Sequence, residues 1–409
     1  MLKRATLLIL LLIVVSSDTL RLTPIELKVY PYLYNLSRWE ITHLFDKWVV
    51  RLRDLLPGGT PSGRARQDLV QEYFSLLKDF KMHQETLRNV ESKKPVMRDE
   101  TLKLEVSLRD IEKEIGSMVP QVEEILEAFI SGVIVDEGLA LPFSLVLPPV
   151  DFVFDQSPKV LVTSPRDRIH RLDSFILQPD LSLEEIESIE IEILAEENYS
   201  ALVENTGGLS TYPSIITGNS LFTTLMLASH EWIHHYLFFR PLGQHYHSDM
   251  DMSTLNETLA ILAGHELAEA AYWVITGEFH NDSNQTLDKN EEVFDFAREM
   301  RVTRLKVESM LTNGAIDDAE SYMEKRRRIF VNEGYYIRKL NQAYFAFHGT
   351  YADSPGSISP IYGELREMRN ASSSLGSFVK VVSSAASYEE FQEILDQRRL
   401  VIQVEPSPG

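Results

Sequence analysis

Apolar positions recur at helical spacing over most of the chain, and form short strand-like runs only near its middle. From Pro24 to Leu56, Trp39, Leu44, Trp48 and Leu52 share one helical stripe, before Leu55-Leu56-Pro57-Gly58-Gly59-Thr60-Pro61-Ser62-Gly63 breaks the pattern. Residues 66–91 align Leu69, Tyr73, Leu77 and Phe80; residues 98–118 align Leu104, Leu108, Ile111 and Ile115. With Lys93-Lys94-Pro95 between them, the two stretches predict a helical hairpin. Pro120 then separates a further helix running to about Ser131. Residues 24–137 therefore read as a helical N-terminal region.

Residues 138–218 have a different character. Pro142, Pro148, Pro149, Pro158 and Pro165 punctuate short apolar runs such as Val160-Leu161-Val162, with Phe175-Ile176-Leu177 and Ala201-Leu202-Val203 further on. This predicts a small β-containing subdomain. Helical spacing returns over residues 219–278. Residues 279–400 continue helical, with a turn at Asn313-Gly314, an aromatic and polar stretch from Tyr335 to Tyr351, and short helices over 359–397. Residues 401–409 read as a flexible tail. The fold class is mostly α with a small β subdomain.

The chemistry is concentrated in Ser229-His230-Glu231-Trp232-Ile233-His234-His235, inside the apolar run Leu221 to Phe239. On a helix, His230 and His234 stand at i and i+4 and face one way, so both imidazoles can reach one metal ion. Glu231 lies at the edge of that face, within reach of a metal-bound water. Arg240-Pro241-Leu242-Gly243 stops the helix, and a second helical run opens at Leu255-Asn256-Glu257-Thr258-Leu259-Ala260. On it, Ala260, Gly264 and Ala268 share roughly the face of Glu257, a small-residue stripe that lets another helix approach closely. The absence of cysteine restricts any transition-metal site to His, Asp and Glu.

A metzincin would carry Gly at 237 and His at 240, where this chain has Leu237 and Arg240. The chain instead resembles the gluzincins, the HExxH zinc metallopeptidases of thermolysin-like and aminopeptidase type, over about 40 residues around the two helices. Their second motif is likewise an Asn-Glu followed by a small residue. The resemblance implies Zn2+ held by His230, His234 and Glu257, a water as fourth ligand, and Glu231 as general base. It also implies a downstream Tyr or His for the developing oxyanion. Tyr336, Tyr344, His348 and Tyr351 are available, with Tyr344 and His348 taken as the catalytic pair and an aromatic core helix as the other reading. The similarity of this stretch to uncharacterised bacterial peptidases is faint.

Several neighbouring groups compete for roles. Asp249 or Asp251 is the alternative third ligand. His235 reads as a packing or supporting residue, and His265-Glu266 as structural. Gln244-His245-Tyr246-His247 reads as a polar loop or as support for a ligand imidazole. Gly207 to Tyr212 is either a surface turn or an edge strand that aligns an extended substrate. The basic cluster Lys325-Arg326-Arg327-Arg328 reads as a solvated helix face.

Composition narrows the setting. The 409 residues carry a formal charge of −21, against a nucleic-acid partner and against adhesion to an anionic surface. Lys3 and Arg4 precede the apolar run Ala5 to Val15, so residues 1–23 predict a signal peptide or an N-terminal membrane anchor, and export from the cytoplasm. Export without cysteine favours a bacterial setting, in which the Asn-x-Ser/Thr sites such as Asn256 are coincidental. An intramembrane protease would need several uncharged spans of about 20 residues, which the chain lacks. The expectation is an extracytoplasmic zinc metallopeptidase acting on peptides or proteins, the alternative a non-catalytic helical surface or scaffold protein on a peptidase-like fold.

Overall fold

The computed structural model describes residues 22–43, 63–91, 98–281 and 294–404. The expected leader, the Pro/Gly break before Gly63, the Lys93-Lys94-Pro95 turn and the tail after Val404 lie outside them. In chain order the main helices are α1 (Pro24–Val29), α2 (Gly63–Glu91), α3 (Arg98–Asp136), α4 (Leu183–Glu192), α5 (Leu221–Phe238), α6 (Met250–Thr276), α7 (Phe296–Thr312), α8 (Ile316–Asn332), α9 (Gln342–His348), α10 (Ile361–Asn370), α11 (Leu375–Val382) and α12 (Tyr388–Val404), with a single turn, Pro241–Gln244, between α5 and α6. The strands are β1 (Phe152–Phe154), β2 (Lys159–Pro165), β3 (Ser174–Leu177), β4 (Tyr199–Asn205), β5 (Gly208–Leu209) and β6 (Ser214–Ile216). The protein is mostly α with a small β part, as its pattern predicts, and none of the described helices is long and apolar enough to cross a membrane.

The expected break at Pro120 does not occur. Residues 98–136 form one helix through Pro120. Proline inside a helix removes one hydrogen bond and costs about 3 kcal/mol. Here the turns beyond it bury Val122, Ile125, Leu126, Ile130, Val133 and Ile134 in the main core, which more than offsets that loss.

The strands form two three-stranded sheets rather than one. In the first, β6 lies between β1, to which it is parallel, and β5, to which it is antiparallel. The amides of edge strand β1 are taken by α3: Phe152 donates to Glu127 Oε1 at 2.9 Å and Phe154 to Glu123 Oε1 at 2.7 Å. The opposite edge, β5, lies against α5. The second sheet is antiparallel in the order β3-β2-β4, and covers Leu161 and Val203 with α1 and α4 on one side. The acidic stretch from Leu183 becomes α4 because Ser182 and Glu185 form a reciprocal capping box.

The main core gathers α3, α5, α6 and α10–α12 around α6, which is apolar on nearly every face. Asp249 caps α6, accepting from Met252 N at 2.8 Å, and Gly277 ends it in a left-handed conformation. A third cluster joins α7, α8 and the start of α9. Buried Glu190 ties the parts together: it accepts from Val203 N at 2.7 Å, from Arg338 at 2.6 and 2.9 Å, and from Lys339 at 2.9 Å.

Candidate metal centre

The small residues of α6 set the site. A Cβ on Gly264 would stand 2.9 Å from His230 N and 3.0 Å from its Cα, so glycine alone lets α6 seat against α5 at the first histidine. Ala260 and Ala268 continue the same close face and are fully buried. Across this contact Glu257 of α6 meets His230 and His234 of α5. His230 Nε2 lies 3.0 Å from His234 Nε2; Glu257 Oε2 lies 3.7 Å from the first and 3.5 Å from the second.

The other polar atoms of these side chains are already committed. His234 Nδ1 pairs with Asn256 Oδ1 at 2.9 Å, the ring of His230 donates to the carbonyl of Ala260, and Tyr246 donates to Glu257 Oε1 at 2.7 Å. Three lone-pair-bearing atoms thus converge in a largely buried space, an unfavourable arrangement unless a proton or a cation sits among them. The circumradius of their triangle is about 2.0 Å, the length of a bond from zinc to imidazole nitrogen or carboxylate oxygen. His230, His234 and Glu257 therefore form a group able to hold a metal ion.

The electrostatics agree with that geometry. Burial opposes ionisation of Glu257, but neighbouring His234 holds it down to about 2. Burial likewise opposes a charge on His234, yet Glu257 pushes it up to about 9, while burial and the charge of His234 lower His230 to about 4. The two histidines are thus driven in opposite directions, one toward and one away from the charged form. Burial pushes Glu231 up to about 7, a value suited to exchanging protons near neutrality.

Glu231 projects toward β5. A Cβ on Gly208 would stand 2.7 Å from Glu231 Oε1, and one on Gly207 would stand 2.9 Å from Leu227, so the glycine pair allows the strand to lie on α5. Ser210 Oγ donates to the carbonyl of Glu231 at 3.2 Å, and the ring of His235 lies edge-on to Tyr212, 5.6 Å between centroids, beside the backbone of Ser210 and Thr211. Residues 207–212 are thus an edge strand and turn fastened to α5, with His235 packed beside them.

The competing acids go elsewhere. Asp249 caps α6, while the charges acting on Asp251 are Asp249, Glu364 and Glu389. Glu266 pairs with Arg369 at 2.8 Å. Of the basic cluster, Arg328 is exposed beside Glu324, whereas Arg326 and Arg327 are half-buried, Arg326 bonded to Glu299 and Thr303 of α7 and Arg327 to Glu324 and the carbonyl of Ile337, so this is only partly a solvated face.

No charge of the triad acts on Tyr344 or His348. Their rings lie 4.2 Å apart in and beside the third cluster, and the charge acting on Tyr344 is Glu204. Only residues 342–348 of the aromatic stretch are helical; the chain then turns, and Ala352 N donates to Thr258 Oγ1 on α6. That turn brings in Tyr351, whose hydroxyl is pushed up by burial and by the charges of Glu257 and Glu231. Two further residues escape sequence reasoning in their specific roles. Tyr246, from the polar loop between α5 and α6, bonds the carboxylate of Glu257 and not an imidazole. Arg171, from the β2–β3 connection, lies within electrostatic reach of both Tyr246 and Tyr351, its Nε bonded to Ser174 Oγ at 2.7 Å.

No protein-family model, curated protein or solved structure matches this chain.

Proposed function

We propose that the protein is a zinc metallopeptidase of gluzincin type that hydrolyses peptide bonds outside the cytoplasm. The observation that carries this reading is the convergence of two HExxH histidines and a carboxylate from the next helix at zinc-bond radius, with Glu231 beside them. An N2O donor set without thiolate suits catalytic zinc, and the side chains present leave further coordination positions to small molecules.

His230, His234 and Glu257 would hold the ion. When bound, it supplies Lewis acidity, polarising a carbonyl and lowering the pKa of water. Glu231 accepts a proton from the attacking water and delivers it to the leaving nitrogen, a cycle that its elevated pKa supports. Tyr351 donates to the oxygen that gains charge at the scissile carbon. An extended peptide lies along the edge of β5, next to Glu231, and its main chain extends the sheet. Arg171 adds positive charge on the tyrosine side, where a substrate carboxylate or carbonyl can use it.

Metal analysis of the purified chain and of Glu257→Ala tests the ligand set. Stoichiometric zinc in the first and its loss from the second are expected, and zinc retention independent of Glu257 refutes the assignment. Digestion of a peptide library by wild type and Glu231→Gln tests turnover. Products from the wild type alone support the reading. No product from either, with zinc bound, favours a non-catalytic scaffold.

A further inference from the structure

The connection between α3 and β1 exposes an apolar tip that the metal centre does not use. From Gly138 to Val150 no residue is charged. Leu141, Phe143, Leu145 and Leu147 are exposed by 42, 103, 55 and 54%. The loop is held at both ends. Leu139 and Val150 are buried, Lys380 Nζ donates to the carbonyl of Gly138 at 2.6 Å, and Trp232 Nε1 of the metal helix donates to that of Pro148 at 2.8 Å. Leu141 N bonds Leu145 O at 2.8 Å across the tip, where Phe143 and Ser144 adopt left-handed φ values of 67° and 57°. Left-handed backbone is disfavoured for a bulky residue, and here it directs a benzyl group into water.

From this geometry we propose that residues 141–147 form a finger that inserts into the interface of a lipid bilayer. Three features select lipid over a protein partner. The tip is a protrusion, with Phe143 as exposed as in a free peptide, so it carries no groove for a partner to fill. Its one polar side chain is Ser144, whereas protein interfaces surround an apolar centre with a polar, hydrogen-bonding rim. Pro142, Pro148 and Pro149 lack N–H groups, and Leu141 N is internally bonded, so few donors would lose water on entering an apolar phase. The chain's charge of −21 selects a zwitterionic surface over an anionic one. Because Trp232 grips the base of the loop, insertion would set the metal helix beside the bilayer.

The inference does not depend on turnover, and the cysteine-free chain permits a direct test. Phe143→Cys in the full chain is labelled with an environment-sensitive fluorophore and mixed with phosphatidylcholine vesicles; Glu333→Cys, exposed on α8's C-terminal turn, serves as reference. The expected result is a blue-shifted, brighter emission at 143, quenched by nitroxides in the acyl chains, with no change at 333. Phe143→Ser combined with Leu145→Ser should lower the vesicle partition coefficient on the order of tenfold or more. A probe at 143 that stays in water overturns the proposal, even if the chain sediments with vesicles through its N-terminal segment, and assigns the finger to a protein partner. An unchanged partition coefficient in the double variant overturns it equally.

Discussion

Gly264→Ala tests the packing on which the metal centre stands. The added methyl would meet His230 at 2.9 Å from N, 3.0 Å from Cα and 3.2 Å from Cβ. Two of these atoms are backbone within a buried helix, so the clash cannot be relieved by a rotamer change, and α5 and α6 must separate by several tenths of an ångström. Overpacking of this kind costs about 1–3 kcal/mol, while replacing a helical glycine by alanine returns about 0.5–1 kcal/mol. The net expectation is a loss of up to about 2.5 kcal/mol in urea unfolding, against a gain if the contact were absent. Separation also displaces His230 from Glu257, so zinc affinity in competition with a chelating dye should fall by about 10–100-fold, as for other supporting contacts to metal ligands. Gly116→Ala is the control, since that glycine lies exposed in α3 with open space around it, and should gain about 0.5–1 kcal/mol with zinc affinity unchanged. If Gly264→Ala behaves like Gly116→Ala in both assays, the close approach of the two helices is refuted.

Gly208→Ala should lower kcat by about 100-fold while zinc binding is preserved, because its methyl would displace the Glu231 carboxylate without touching a ligand; single-turnover kinetics beside metal analysis would show the separation. Tyr351→Phe should reduce kcat by about 10- to 1000-fold with little change in KM, whereas Tyr344→Phe and His348→Gln should stay near wild type, and the reverse ranking would restore the earlier pair. Glu190 supplies a pH dependence. Burial raises its pKa, but the bonds to Arg338 and Lys339 prevail and hold it below its ordinary value near 4.5. Its contribution is therefore complete above about 4.5 and fades as the pH falls through the lower folded value. Urea midpoints at pH 7 and pH 3.5 should differ more in the wild type than in Glu190→Gln, and equal differences would exclude this group as an acid-sensitive tie.

Helices α5 and α6 are legible because their evidence is local: histidines one turn apart, an Asn-Glu near the start of the next helix, and small residues on the same face. Strands β2 and β4 were readable as short apolar runs. What residue spacing does not disclose has a physical origin. Pro120 signals a break locally, and only the burial of six apolar side chains beyond it keeps α3 continuous. Tyr344 and His348 stood out by aromatic density, yet a turn after His348 and a backbone bond to Thr258 are what carry Tyr351 to α6. The role of Arg171 depends on how the β2–β3 connection lies over the helices, which residue spacing does not encode. Tyr246 had a usable signal: it sits in the short segment joining two ligand helices, so its position was confined to the neighbourhood of the site.

The bond from Tyr246 to Glu257 Oε1 makes the two carboxylate oxygens unequal. One faces the histidines and the other is tied back, so the residue is biased to lend a single atom and not to chelate. Were an ion bound, Tyr246 would thereby act as a lock on how many atoms the carboxylate lends it. With the lock closed, the protein would contribute three atoms, leaving room around an ion for incoming molecules. With Tyr246 changed to Phe, the carboxylate is free to swing and grip with both oxygens, trading openness for a more saturated shell. A hydroxyl in an inconspicuous loop can thus determine whether the same three side chains make a receptive centre or a closed one.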